Sequence, residues 1–448
     1  MEQEKETIFN IISSSKKRAI KDIEIYFERS RVTKLSIEDS KIQNVRTLED
    51  KGIGIRVYNK GGMGFSYTMA TDKDSIKLSA ERAIELAKSS NPDKFFKSLP
   101  QPQKLPVVNG IFDEKISNLS IREIMNLAED IICEAKKVNG DVVLSGQIDV
   151  VFDKHIGIVN SRGIDCDCKI NAISAQVSGK IEKSKEDVGS GFAISLSHSI
   201  DDINIIISVG REAAEKAVRG LGARKTKTRR CPVLFSPLAT YYLTTSLLGK
   251  CLAGITNSYS MSCLSNKIGK KIASEKLTIW DDGTLTGGIA SSPFDGEGNP
   301  HKPFPVIEKG ILKNYLHTSY SANKMNEQNT MSATRSSYKN PPNDTSFTNI
   351  KIVGTPEKTL KNILKNVDDG IFIDFLYGID VLTGTISSAI NYGTEIKNGE
   401  LKNAVSGAMI GTNLLDVLKN IMEISKDTMN FGGSICPYLL VNDISISG

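Results

Sequence analysis

The sequence predicts an α+β protein, with two sheet-plus-helix modules followed by a β-rich C-terminal domain. Residues from about Asp22 to Ala70 alternate apolar and polar (Ile23, Ile25, Phe27, then Ile53, Ile55, Val57) around the turn Asn59-Lys-Gly-Gly62. That is the period-two signature of antiparallel strands joined by a tight turn. Ile76, Ala80, Ala83, Ile84 and Ala87 then recur at helical spacing, with Lys77, Glu81, Arg82, Glu85 and Lys88 between them, so one apolar stripe faces a core. From Cys231 onward short apolar runs alternate with Gly, Ser, Thr and Asn, which suits short strands with a few helices.

Taken in order, these patterns divide the chain at residues 1–100, 101–224 and 225–448. Asn91 to Pro106 holds four prolines and no periodicity, an extended linker. Ser120-Ile-Arg-Glu123 is a capping box in which the serine accepts from the backbone at Glu123 and the glutamate reaches back. Ile121, Ile124, Ala128, Ile131, Ile132 and Ala135 form the buried face of the helix it starts. Strand patterns return from Asp141 to Val209, and a helix is expected from about Ser208 to Arg219, ending at Gly220. The second module thus resembles the first in element order, as an internal duplication would. Arg224 to Arg230 has five basic residues in seven but no aromatic platform, and is read as a solvated segment between domains. In the third region, Leu415, Leu418 and Met422 place a helix over about Leu414 to Ile424.

A chain of 448 residues, 39% hydrophobic, can bury substantial cores. Its 57 basic and 52 acidic side chains leave a net charge of +5, which gives little reason to expect a nucleic-acid partner. No apolar run approaches the roughly 18 to 20 residues that span a bilayer. The mixed-charge start Met-Glu-Gln-Glu-Lys-Glu is unlike a secretory signal. The expectation is a cytoplasmic protein with no membrane partner. Seven scattered cysteines are expected as thiols, with Cys166 and Cys168 on one strand face.

Catalytic zinc commonly takes two histidines one helical turn apart, with a glutamate beside the first as general base. The four histidines here are His155, His198, His301 and His317, the closest pair 16 apart. No helix can present such a pair. Asp281, Asp282, Asp295 and Glu297 cluster among glycines. Their spacing is not that of an EF-hand loop, and they read as turn and capping carboxylates that order loops around a groove. Neither a Gly-x-Ser-x-Gly elbow nor a phosphate-binding lysine loop is present.

The stretch Ile279-Trp-Asp-Asp-Gly-Thr-Leu-Thr-Gly-Gly-Ile-Ala-Ser-Ser-Pro-Phe-Asp-Gly-Glu-Gly298, with Pro300, Lys309-Gly-Ile-Leu312 and Tyr320-Ser-Ala322, resembles the TldD/PmbA family. Gly210-Arg-Glu-Ala-Ala214, Leu221-Gly-Ala-Arg-Lys225 and Pro232-Val233 add to the likeness. So do Tyr377-Gly-Ile-Asp380, Thr383-Gly384, Ile396 to Leu401, Asp427 and Pro437-Tyr-Leu-Leu-Val441. The family's catalytic type carries His-Glu-x-x-x-His on a helix shortly after the Pro-Val strand. Here the matching Ser236 to Gly254 contains no His, Glu or Asp, and Cys436 does not match the family's cysteine ligand. Tyr377, Asp380 and Thr385-Ile386 also depart from the family's usual His, Asn and Asp-Phe.

The resemblance is therefore to the PmbA (TldE) type, the subunit without the zinc motif. It implies a noncatalytic subunit of a metalloprotease acting on unfolded peptides, with no metal in this chain and zinc in a TldD-like partner of a heterodimer. A stand-alone homodimeric peptide-binding or regulatory protein is the alternative. Candidate groove or loop-ordering residues are Asp282, Ser292, Phe294, Asp295, Glu297, Arg335, Tyr377, Asp380 and Thr383.

Overall fold

The computed structural model describes residues 2–17, 20–355, 357–377 and 383–448. Its N-terminal half is built on one six-stranded antiparallel sheet. Helix α1 (Glu2–Lys17) precedes β1 (Asp22–Glu38), β2 (Lys41–Asn59) and β3 (Gly62–Thr68), and α2 (Lys73–Ser89) follows. After the linker come α3 (Glu114–Ser117) and α4 (Ile121–Val138), then β4 (Val143–Asn160), β5 (Asp165–Ser184), β6 (Asp187–Ser197) and α5 (Ile203–Arg219). The strand order β3-β2-β1-β4-β5-β6 places the two modules edge to edge through β1 and β4. Each module thus runs long helix, three strands, long helix, and the two share a sheet rather than standing apart.

Both halves of the sheet bury the same face. Ile23, Ile25, Phe27, Ile53, Ile55 and Val57 pack with α1 and α2. Leu35, Ile37, Leu144, Ile148, Ile173 and Ala175 pack with α4 and α5. The capping box at Ser120 is present, with Glu123 N donating to Ser120 Oγ at 3.2 Å and Ser120 N to Glu123 at 2.8 Å. The helix expected from Ser208 begins five residues earlier, at Ile203. Ile206, Val209, Gly210, Ala213 and Ala217 are buried at helical spacing, so the apolar run Ile203 to Val209 opens a helix and is not part of a strand. Gly210 is where α5 crosses α4, since a Cβ there would lie 1.9 Å from the Ile131 carbonyl oxygen.

The C-terminal half is a twelve-stranded sheet that closes on itself in part. Arg229–Phe235 pairs with both Asp369–Tyr377 and Ser434–Ser447, Asp369–Tyr377 pairs with Thr385–Lys397, and Met409–Asn413 joins Thr385–Lys397 back to Ser434–Ser447. These strands make a closed ring. Alternation sends Val233, Phe235, Ile371 and Ile373 into the largest core, and Leu234 and Phe372 into a smaller one with Ile363 and Val367. The helix expected over Leu414 to Ile424 covers only Leu414–Lys419. Asn420 leaves helical geometry, and Ile421–Phe431 forms a strand against Ser434–Ser447, leaving Met422 exposed. Pairing Ile421 with Val441 and Ile424 with Leu439 buries both isoleucines, and this outweighs the local helical spacing. Among the described residues no helix is long and apolar enough to cross a membrane.

Candidate functional site

The stretch Ile279 to Gly298, the signature segment below, seats the C-terminal half against the open face of the N-terminal sheet. Because Ile23, Ile25 and Phe27 face the helices, Glu24, Tyr26 and Glu28 point the other way, and so does Arg56 across the pair Glu24–Arg56. The loops of the signature segment and of residues 333–338 cover that face. Phe294 packs with Tyr26, Ile158, Ile164, Cys166, Cys168 and Tyr338 in a small core.

A buried charge network lies in this seam. Arg56 Nη2 donates to Glu24 Oε2 at 2.8 Å and to Glu297 Oε1 at 3.4 Å. Arg335 also donates to Glu24, sends its Nε to the Gly296 carbonyl at 2.7 Å, and stacks its guanidinium 4.7 Å from the Tyr26 ring centre. The side chains of Glu24, Arg56, Glu297 and Arg335 are all 3% exposed or less. Glu297 uses its other oxygen to accept from Ser319 N at 2.7 Å. Burial pushes the Glu24 carboxyl up, but the guanidiniums of Arg56 and Arg335 outweigh it and hold the group below its ordinary value. Two cations thus face two carboxylates, with Glu24 and Arg56 held on β1 and β2 and Glu297 and Arg335 carried by loops.

Asp295 shapes the loop that delivers Glu297. Its Oδ1 accepts from Glu297 N and Asn299 N, both at 2.9 Å, while burial and the neighbouring Glu297 charge push its carboxyl up. Ser292 donates to the Phe294 carbonyl at 2.7 Å, and its own carbonyl accepts from His301 Nδ1 at 2.9 Å. Ser292, Phe294, Asp295 and Arg335 line a cleft of about 310 Å³ together with Tyr26 and His301. Asp282 lies apart, on a shallow groove of about 570 Å³ with Trp280 and Lys351, and turns its own loop by accepting from Thr284 N at 2.8 Å. Its neighbour Asp281 accepts from Thr348 N at 2.9 Å, and burial pushes that carboxyl up to about 7.

Five of the nine candidates therefore meet at the seam: Ser292, Phe294, Asp295, Glu297 and Arg335. Thr383 is exposed elsewhere, and Asp380 and the Tyr377 side chain lie outside the described residues. Glu24 and Arg56 complete the network and are absent from that set. The signal for them was a charged residue inside each apolar alternation, Ile23-Glu24-Ile25 and Ile55-Arg56-Val57.

The helix after the Pro-Val strand has no chemistry of a metal site. Ser236 caps it, accepting from Ala239 N at 3.1 Å, and it runs through Pro237–Tyr242, a wide π turn Leu243–Leu248, and Gly249–Cys251. Its side chains pack: Tyr241 against Phe431 at 5.0 Å, Tyr242 against Phe375 at 4.7 Å, and Leu238, Leu248 and Leu252 into the core. Among the described residues no three His, Cys, Asp or Glu side chains are grouped to share an ion. The residues in this segment do not fit zinc. One hydrolase-like set does exist, with His317 Nδ1 3.0 Å from Ser321 Oγ and Nε2 3.0 Å from Glu327. Ser321 is fully buried and committed to capping the helix Ser319–Met325, so no substrate carbonyl can reach it.

Profiles described as PmbA/TldA metallopeptidase domain 1, central domain and C-terminal domain match residues 23–87, 114–221 and 228–448. The metalloprotease PmbA homolog of Buchnera aphidicola subsp. Acyrthosiphon pisum is 25% identical, covering 95% of this chain and 93% of that protein. The metalloprotease TldD homolog of the same organism is 26% identical, covering 92% and 87%. The crystal structure of TldE from Thermococcus kodakarensis superimposes with a TM-score of 0.86 at 22% identity, over 99% of this chain and 100% of that one. Profiles that tile nearly the whole chain, in the order of its three regions, show that it belongs to the PmbA/TldD metallopeptidase family.

Proposed function

We propose that this chain is the noncatalytic subunit of a TldD/TldE-type metalloprotease and helps enclose the chamber that receives unfolded peptides. A TldD-like partner would supply the zinc, which polarises the peptide carbonyl and activates water. The observation that carries this reading is the side-chain content of Ser236 to Gly254, which holds no imidazole or carboxylate and packs its aromatic residues against the core. The matches to relatives named PmbA and TldD in one organism support a family that works in pairs.

An extended peptide is recognised most cheaply by strand addition, in which main-chain hydrogen bonds give affinity without sequence demands. The sheet edge at β6 is suited to this. It borders a cleft of about 410 Å³ walled by Ser190, Lys216, Asp374, Asn391, Tyr392 and Thr394.

The test is metal analysis and cleavage of an unfolded peptide, first with the purified chain and then with a TldD-like subunit carrying His-Glu-x-x-x-His. The expected result is no stoichiometric zinc and no cleavage until the second subunit is added. Tight zinc and activity in the isolated chain would overturn the proposal. Inertness with the partner, together with a stable self-dimer, would favour the stand-alone binding protein instead.

A further inference from the structure

Two cysteines outside the seam stand side by side. Cys251 ends the helix that Ser236 caps, and Cys263 lies twelve positions on, with its sulfur 3.9 Å from that of Cys251. Both are thiols. A disulfide needs about 2.05 Å between sulfurs, so side-chain rotation and a small loop shift would close the gap. The loop is already held in place, because Ser262 Oγ donates to the Cys251 carbonyl at 2.6 Å and accepts from Leu264 N at 3.0 Å. The pair is also asymmetric: Cys251 is buried and Cys263 is partly exposed, so a solute reaches one sulfur first.

We propose that Cys263 and Cys251 form an oxidation site, in which Cys263 attacks a hydroperoxide and Cys251 resolves the product into an intramolecular disulfide. The Cys263 thiolate takes the distal oxygen as the O–O bond breaks, and the leaving hydroxide picks up a proton to become water. The Cys251 sulfur then attacks the sulfenic sulfur, the S–O bond breaks, and a second water leaves with the Cys251 proton. Two thiols lose two electrons and two protons, and one hydrogen peroxide becomes two waters.

The electrostatics agree with this assignment. Contact with Cys251, with help from Ser262, holds the Cys263 thiol below its ordinary value against the opposing effect of burial, which favours the thiolate there. Burial instead pushes Cys166 up to about 12 and Cys168 up to about 11. Those sulfurs contact the Ile158 and Lys169 carbonyls at 3.8 and 3.7 Å. Cys263 also bears on the strand Thr385–Lys397: a Cβ on Gly384 would sit 2.7 Å from its sulfur, so movement of that sulfur is felt where the strand begins.

The experiment treats the full chain with hydrogen peroxide at pH 7, blocks remaining thiols with N-ethylmaleimide, and maps peptides by mass spectrometry without reduction. The expected product joins the peptides of Cys251 and Cys263, two hydrogens lighter, and is reversed by dithiothreitol. Cys263 should be consumed at least several-fold faster than the exposed Cys133, because the thiolate is the reacting form. In Cys251→Ser the Cys263 sulfenic acid should accumulate and be trapped by dimedone. Equal rates at Cys263 and Cys133, or a crosslink elsewhere, would overturn the proposal. The rate comparison uses the unmodified chain and so does not depend on the variant folding.

Discussion

Replacing Glu24 with Gln keeps the shape of the seam and removes one of its two carboxylates. Arg56 and Arg335 would then face only Glu297. At 2.8 Å the Arg56–Glu24 attraction is about 6 kcal/mol in an effective dielectric of about 20, before desolvation is set against it. Breaking a buried pair from one side costs about 3–5 kcal/mol, because the remaining charge stays buried. With an unfolding entropy of about 2.1 cal/mol/K per residue over 448 residues, that corresponds to a fall in Tm of roughly 3–5 °C if the chain unfolds as one unit. Calorimetry and urea unfolding measure it. Adding Arg335→Met restores one cation to one carboxylate and should recover at least about 1 kcal/mol. The folded Glu24 carboxyl is held below its ordinary value near 4.5, so its contribution is present above that pH and lost as pH falls through the lower folded value. The gap between wild type and Glu24→Gln should therefore close in acid. A loss under about 1 kcal/mol at pH 7, or a gap that persists unchanged in acid, would refute the argument.

Gly52→Ala should destabilise by about 1–3 kcal/mol, since its Cβ would lie 2.1 Å from the Tyr338 ring and displace the Tyr338–Asp50 hydrogen bond of 2.8 Å. Urea unfolding would show it, and Tyr338→Ala in the same chain should remove most of the added cost. Asp281 has a folded pKa pushed up to about 7, so its stabilising effect is full below its ordinary 3.8 and fades as pH rises to about 7. Asp281→Asn should flatten the stability profile across that window, as read from Tm against pH. Ser120→Ala removes one half of a capping box and should cost about 1 kcal/mol, with faster amide exchange in the first turn of α4.

Local features of this fold were legible where one segment settles them. The capping box at Ser120 and Glu123, and the alternation at Ile23 to Phe27 and Ile53 to Val57, depend on a few neighbouring residues and appear as expected. Features decided by distant partners were not. Ile421 and Ile424 satisfy a helical spacing on paper, yet Val441 and Leu439 draw them into a strand. Glu24 and Arg56 look like solvent-facing charges of an edge sheet until a loop more than 200 residues away, carrying Glu297, covers them. The candidate residues at Ser292 to Glu297 were found through family resemblance, but their common place at a seam between halves follows only from the long-range pairing.

The closed ring in the C-terminal half sets a condition on synthesis. Its strand Ser434–Ser447 pairs with Arg229–Phe235, about 200 residues earlier, and with Met409–Asn413, Ile350–Ile352 and Ile421–Phe431. A ribosome-bound chain can assemble the six-stranded sheet while the second half is still being made. The ring has no such early stage, because Ser434–Ser447, which closes it between Arg229–Phe235 and Met409–Asn413, is made after its other strands. A stop before Ser434 would leave four strands without their shared neighbour, with open edges of the kind that aggregate.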